Sequence, residues 1–389
     1  MELTLVVDHH CNLRCAYCYA GDKFSRRMSD ETMRRAIDLA IARRPRHLDL
    51  GFFGGEPTLH PDLILAAIEH AERAARAVTD TQRPMLRFVL NTNATLLSEP
   101  RSRPLLEALG KPRKSAAFVS LDGPREVHDA HRVDAAGRGS FDRAVAGVEA
   151  LRAAGIPFQL TAVASKQTAR RLGDTLKTLL PMGASKIIVA PNFADDWNEH
   201  DIGALRGGLR ALGDAWIEHF RAGEAFAVEP LHTKILSHLE GGIPCPSRCM
   251  LGGEELAVAP SGRLYPCAQM VGEDDRDELC IGDVERGLDM PKIFAMQKQK
   301  ERVEDTCSTC ALRDRCQSHC GCRQVALSGA LGEITAVLCE IEGAMIAEAD
   351  RIAETLFEEQ CPAFLRFYYQ RRWKQASGQL TQLRRARGV

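Results

Sequence analysis

The sequence predicts an α/β fold: a partial (β/α)6 barrel of TIM-like parallel strands, then a cysteine-rich, loop-rich domain and a helical C-terminal tail. Three observations predict it. Short apolar runs alternate with helical periodicities over the first half; that half is too short for eight units; and the pattern dissolves after residue 245 into Gly, Pro and Cys. Strand-like runs fall at 3–7, 48–53, 86–90, 116–120, 158–163 and 186–190, and helical spacing at 30–43, 61–77, 103–109, 141–154 and 168–180, with Ser29 as N-cap of the first helix. Strands that alternate with helices pair in parallel through right-handed crossovers. About 190 residues is short of the roughly 250 that eight such units need, so the barrel is expected to stay open. The expected divisions are a barrel over 1–200, a helical bridge over 201–240, a cysteine-organised domain over 241–345, and a C-terminal helix with a basic tail over 346–389.

Composition narrows the class. A chain of 389 residues buries roughly 75% of its unfolded surface, so its 14 cysteines are not needed as staples. The start carries Glu2 and too short an apolar run for a signal peptide. No stretch approaches the roughly 18 apolar residues of a membrane span. A cytoplasmic location with thiols reserved for metal is the expectation. Net charge is −1, which gives no field for nucleic acid. Residues 361–389 differ: Arg366, Arg371, Arg372, Lys374, Arg384, Arg385 and Arg387 occur without an acid, interleaved with Phe364, Phe367, Tyr368, Tyr369 and Trp373. That pattern fits a docked helix and solvated tail, or a surface for an acidic partner.

The chemistry concentrates in Cys11-Asn12-Leu13-Arg14-Cys15-Ala16-Tyr17-Cys18-Tyr19. Four-iron clusters normally take four thiolates, yet the next cysteine is Cys245. A C-x3-C-x2-C loop therefore points to a cluster with one open iron, where chemistry can happen. The competing reading is a zinc site completed by His9 or His10. Placement favours chemistry: the cysteine loop follows the first strand, Gly54-Gly55-Glu56-Pro57 the second, Asn91-Thr92-Asn93 ends the third and Ser120 the fourth. That is the rim where parallel barrels build active sites.

With Ser120-Leu121-Asp122-Gly123-Pro124, these motifs resemble the radical S-adenosylmethionine (SAM) enzymes. The resemblance implies a [4Fe-4S] cluster on Cys11, Cys15 and Cys18 whose open iron chelates SAM. Reductive cleavage then yields a 5′-deoxyadenosyl radical. It further implies that Gly55 and Glu56 meet the methionine amino group, Ser120 and Arg132 its carboxylate, and Tyr17 the adenine. An Arg suits a carboxylate because its fork pairs bidentately. Asn91 and Asp122 are expected to order the rim.

A second group, Cys307-x2-Cys310-x5-Cys316-x3-Cys320 with Cys339 beyond, follows Cys249-x12-Gly262-x4-Cys267. It resembles the SPASM extension over 245–339, which implies two auxiliary [4Fe-4S] clusters. One would take Cys249, Cys267 and Cys320 with Cys245 as fourth ligand; the other Cys307, Cys310, Cys316 and Cys339. Cys280, Cys322 and Cys361 are left as small buried hydrophobes, Cys322 being the one able to substitute as a ligand. Structural zinc is the alternative.

Relatives of this kind act on peptides or proteins, with a flavodoxin- or ferredoxin-like electron donor. The preferred expectation is oxidative maturation of a ribosomally made peptide, by a cross-link or related oxidation. Because the barrel begins near residue 3, leader recognition is expected to need a separate leader-binding protein. The alternative is an anaerobic sulfatase-maturing, formylglycine-generating enzyme. Those carry an Asp base where this chain has Ala268, after Cys267. A reading of another class is a non-catalytic zinc-binding interaction module.

Overall fold

The computed structural model describes residues 1–110, 113–243, 249–302 and 305–369. Cys245 and the basic tail beyond Tyr369 lie outside them.

Six parallel strands form as the alternation requires: β1 (Glu2–Val6), β2 (His47–Phe53), β3 (Met85–Thr92), β4 (Lys114–Ser120), β5 (Phe158–Ala164) and β6 (Ile187–Pro191). Each pairs with its sequence neighbour, β1 with β2 in the register Leu3↔Leu50 and β4 with β5 through Val119↔Leu160. Between them lie α1 (Asp30–Ala42), α2 (Pro61–Ala77), α3 (Arg103–Gly110), the short α4 (Arg125–Asp129), α5 (Phe141–Ala153) and α6 (Leu172–Leu179). Helix α1 starts where Ser29 Oγ accepts from Thr32 N at 3.0 Å, a cap that contributes about 1 kcal/mol. Its buried stripe of Met33, Ala36, Ile37, Ala40 and Ile41 covers one face of the sheet, each large side chain stabilising by roughly 1.5–3 kcal/mol.

The sheet does not stop at six strands. Its order is β7-β6-β5-β4-β3-β2-β1-β8-β9, nine strands in one layer. Helix α7 (Glu199–Arg221) leads into β7 (Val228–Glu229) beside β6, and α8 (Leu231–Glu240) follows. The stretch expected as a helical bridge thus contributes an edge strand. At the other edge β8 (Glu255–Val258) lies parallel to β1, Leu3↔Leu256, and β9 (Leu264–Tyr265) turns back antiparallel. The cysteine-rich segment is therefore hydrogen-bonded into the barrel sheet, where the sequence reading had placed a boundary at 241. Spacing could not reveal this, because β8 is a four-residue strand whose pairing is long-range.

Beyond β9 come β10 (Gly282–Asp283), β11 (Gly287–Leu288), α9 (Met290–Lys300), α10 (Asp305–Ser308), α11 (Gly321–Ser328), α12 (Ala336–Glu358) and α13 (Pro362–Tyr368). Helix α12 packs on α7 and α8. Phe364, Phe367 and Tyr368 set their rings 5.6, 6.0 and 6.4 Å from Phe220, so the described C-terminal aromatics serve the core. Among the described residues no helix is long and apolar enough to cross a membrane.

Candidate active site and cysteine centres

The first site sits at the carboxyl ends of β1 to β5. After β1 the chain runs through Asp8, whose carboxylate is buried and accepts from His10 N (2.9 Å), Arg26 N (2.9 Å) and His60 Nε2 (2.7 Å). Burial pushes this carboxyl up, but the two amides and His60 outweigh it and hold it below the usual range. The loop that follows is pinned to the segment after α4, with Arg14 N to Val133 O at 2.6 Å and Ala16 N to His131 O at 3.0 Å. Cys11 is buried, while Cys15 and Cys18 are half-buried. Leu13 N donates to Cys11 Sγ at 3.3 Å, and Lys23 Nζ stands 3.0 Å from Cys18 Sγ. Burial, with Glu56 nearby, pushes the Cys11 thiol up to about 12. Such a thiol ionises at neutral pH only against a metal cation. Three thiols on one short loop, two of them with N–H donors, are a donor set that fits an iron–sulfur cluster.

Gly54 and Gly55 bring their backbone up against the protein's own cysteine loop. Gly55 N bonds Asp8 O at 2.8 Å, Glu56 N bonds His10 O at 3.0 Å, and a Cβ on Gly55 would lie 2.1 Å from His10 O. Gly54 has φ +129° with its Cβ position 2.4 Å from Asp8 O, so neither tolerates a side chain.

Glu56 is buried and spends both carboxylate oxygens on protein donors. Oε1 accepts from Thr58 N (3.1 Å), Thr58 Oγ1 (2.6 Å) and Thr92 Oγ1 (2.7 Å), and Oε2 from Asn93 N (2.7 Å). Burial still raises its carboxyl above the usual range. Asn93 continues the network through Nδ2 to Asn12 Oδ1 at 2.9 Å. In this geometry Glu56 braces β2, β3 and the cysteine loop.

Arg132 is tied into the protein in the same way. Its guanidinium forks onto Asp122, Nε to Oδ2 at 2.9 Å and Nη2 to Oδ1 at 3.1 Å, and lies over the Tyr17 ring at 5.2 Å. Tyr17 Oη also donates to Asp122 Oδ2, and Val163 N donates to Oδ1 at 3.0 Å. Burial raises Asp122, but Arg132 first and these donors next hold it below the usual range. Among the described residues Nη1 bonds no protein acceptor, which leaves one arm of the fork for a ligand. Ser120, half-buried at the end of β4, and Asn91, with Nδ2 on Phe52 O at 3.3 Å, stand on the same rim. Thr92 and Asn93 fall in the rim motif 91–93 that the sequence pointed to, whereas Asp8 and Lys23 were not singled out. Only Asp8 carried a signal, as an acid ending an apolar strand.

The distal cysteines form two groups. Cys307, Cys310, Cys316 and Cys339 all line one cavity of about 420 Å³. Its walls are fixed by a buried charge cluster. Lys234 and Arg323 pair with Glu342, whose Oε2 also accepts from Gln317 N at 2.8 Å, next to Cys316. Burial would raise Glu342, but Lys234 and Arg323 hold it ionised, below the usual range. The second group gathers at the start of α11. Cys320 and Cys322 Sγ are 3.3 Å apart, Cys249 reaches Cys320, and Cys267 reaches Cys322. Cys322, expected as a leftover hydrophobe, is therefore inside a thiol group. Cys280 and Cys361 are not: they donate to Gly282 O (3.2 Å) and Phe220 O (3.4 Å). Among the described residues no three His, Cys, Asp or Glu side chains converge tightly enough for a single metal ion.

With that geometry in hand, residues 5–179 match the radical SAM superfamily model. These residues are a radical SAM domain. The chain is 25% identical over 339 residues to the serine-type anaerobic sulfatase-maturating enzyme of Klebsiella aerogenes, covering 80% of this chain and 76% of the relative. It is 25% identical over 341 residues to the cysteine-type enzyme of Clostridium perfringens (81% and 86% covered), and 25% over 337 residues to the PqqA peptide cyclase of Gluconobacter oxydans (85% and 87%). Among solved structures, native anSMEcpe with bound AdoMet superposes with a TM-score of 0.75 at 19% identity, covering 92% of this chain and 99% of that one. Streptococcus suis SuiB bound to precursor peptide SuiA gives 0.58 at 17% identity, over 83% and 72%. These structures establish the shared fold. A radical SAM domain implies SAM and a [4Fe-4S] cluster as cofactors.

Proposed function

We propose that this chain is a SAM-cleaving maturase that oxidatively modifies a peptide or protein, its substrate a ribosomally made peptide that receives a cross-link or related oxidation. The observation that carries the reading is the three-thiol loop of Cys11, Cys15 and Cys18 at the strand-end rim of a radical SAM domain. The peptide substrate follows from the sulfatase-maturating and PqqA-cyclase relatives. Bound at this rim, a three-thiolate cluster and SAM supply a 5′-deoxyadenosyl radical for hydrogen abstraction.

This chain's residues position that chemistry. Cys11, Cys15 and Cys18 hold the cluster. Ser120 and the Nη1 arm of Arg132 take the SAM carboxylate. The Gly55–Glu56 backbone and Tyr17 border the amino and adenine ends. Glu56 and Asp122 work as positioning residues, the first bracing the cysteine loop through Asn93 and Asn12, the second fixing Tyr17 and Arg132. In the distal part, Cys307, Cys310, Cys316 and Cys339 hold one auxiliary cluster, and Cys249, Cys267 and Cys320 contribute to another. A flavodoxin- or ferredoxin-like protein supplies electrons, a separate leader-binding protein presents the substrate, and the reducing cytoplasm keeps the thiols available.

Sulfatase maturation is the second reading, favoured by the relatives. Against it stands Ala268, directly after Cys267, which cannot take a proton. Anaerobic incubation of the reduced enzyme with SAM and either a sulfatase-derived peptide or a precursor peptide encoded beside it decides by mass. A loss of hydrogen without an aldehyde on the precursor supports the proposal. A hydrazine-reactive aldehyde on the sulfatase peptide alone supports the second reading.

A further inference from the structure

The four thiols strung along Cys249, Cys320, Cys322 and Cys267 come from three separate segments: the loop before β8, the turn after β9, and the start of α11. Cys320 caps α11 and Cys322 lies in its first turn, with their sulfurs 3.3 Å apart. Each outer thiol lies near enough to one of this central pair to interact with it, Cys249 with Cys320 and Cys267 with Cys322. A merely packed cysteine would look like Cys361, whose thiol donates to the Phe220 carbonyl. Cys322 instead bonds only to other thiols among its described sulfur contacts. The positive end of α11 suits a group that carries negative charge. No three of these side chains close around a single ion, whereas a four-iron cluster is held at four separate corners.

We propose that Cys322 is the fourth thiolate of the first auxiliary cluster, with Cys249, Cys267 and Cys320, so that this cluster is fully ligated without Cys245. This deepens the reading given above and rests on it. A closed cluster accepts electrons from an oxidised substrate; it has no vacant iron for a substrate thiolate. Each thiol releases its proton as it bonds iron.

The test uses the full chain, with Cys11, Cys15 and Cys18 changed to Ala so that only distal iron is counted, reconstituted anaerobically with ferrous iron and sulfide. The parent should hold roughly eight irons. Adding Cys322→Ala should cut this by about half or leave a three-iron electron paramagnetic resonance signal, and Cys245→Ala should leave the count unchanged. Thiol alkylation of the unmutated, loaded protein gives a readout free of folding effects. Cys322 should be shielded together with Cys249, Cys267 and Cys320 and exposed with them on iron chelation. Full iron in Cys322→Ala, equal losses in both variants, or shielding of Cys245 in place of Cys322 would overturn the assignment alone. A parent with no distal iron would overturn the wider reading as well.

Discussion

The two cysteine regions are built on opposite plans. At the rim, Cys11, Cys15 and Cys18 come from one continuous loop, clamped from both sides by backbone: Gly55 and Glu56 behind it, the 131–134 segment in front. Distally, the thiols arrive from segments far apart in sequence: the sheet strands β8 and β9 carry the segments of Cys249 and Cys267, and a buried charge cluster stands beside Cys316. Glu342 bonds Lys234, Arg323 and the Gln317 amide. A local loop supplies all its thiols from one segment. A tertiary constellation depends on every segment that supplies it, so the distal region should fail more readily when its scaffold is disturbed.

Variants that separate the two plans sharpen this contrast. The largest effect should come from replacing Cys11, Cys15 and Cys18 together with Ala. Production of 5′-deoxyadenosine should vanish while iron falls from roughly twelve to roughly eight per chain, measured by chromatography and iron assay. Unchanged nucleoside output would break the comparison at its first term. Next, Glu342→Ala leaves Lys234 uncompensated in the interior and should cost about 3–5 kcal/mol in denaturant unfolding. Distal iron should fall with it, and Glu342→Gln should cost less.

A smaller loss is expected at Arg132. Arg132→Ala should weaken SAM binding about tenfold to a hundredfold, in line with the roughly 1.5–3 kcal/mol of a hydrogen bond to a charged group, and leave iron content unchanged. Equilibrium dialysis with labelled SAM reads the first and iron assay the second; loss of iron would make Arg132 purely structural. The smallest effect concerns pH. Asp8 is held below its ordinary 3.8 in the folded chain, so its contribution is present above that value and lost as pH falls through the depressed one. The stability gap between the native chain and Asp8→Asn should therefore narrow as a denaturation series is carried below 3.8.

The same contrast explains what the sequence could and could not show. The six strands, their helices and the Ser29 cap were legible because alternation and capping are local. So was the three-thiol loop, whose ligands lie within one turn of chain. The strand β8 was not, since its partner β1 is some 250 residues away and a four-residue run carries little period. The pairing of Arg132 with Asp122 was not legible, because nothing in Asp122-Gly123-Pro124 announces that its carboxylate turns inward. Cys322 stood only as a possible substitute ligand for the same reason: spacing reports distance along the chain, and thiols from three segments come together only once the fold is made.

The central claim is that the rim cluster has three protein thiolates and one iron left for SAM. Mössbauer spectroscopy of iron-57-loaded full-length protein, with and without SAM, tests it most directly. The account predicts that SAM changes the signature of a single iron in one cluster and that Cys15→Ala abolishes the change. A spectrum indifferent to SAM, with every iron in thiolate-only coordination, would contradict it.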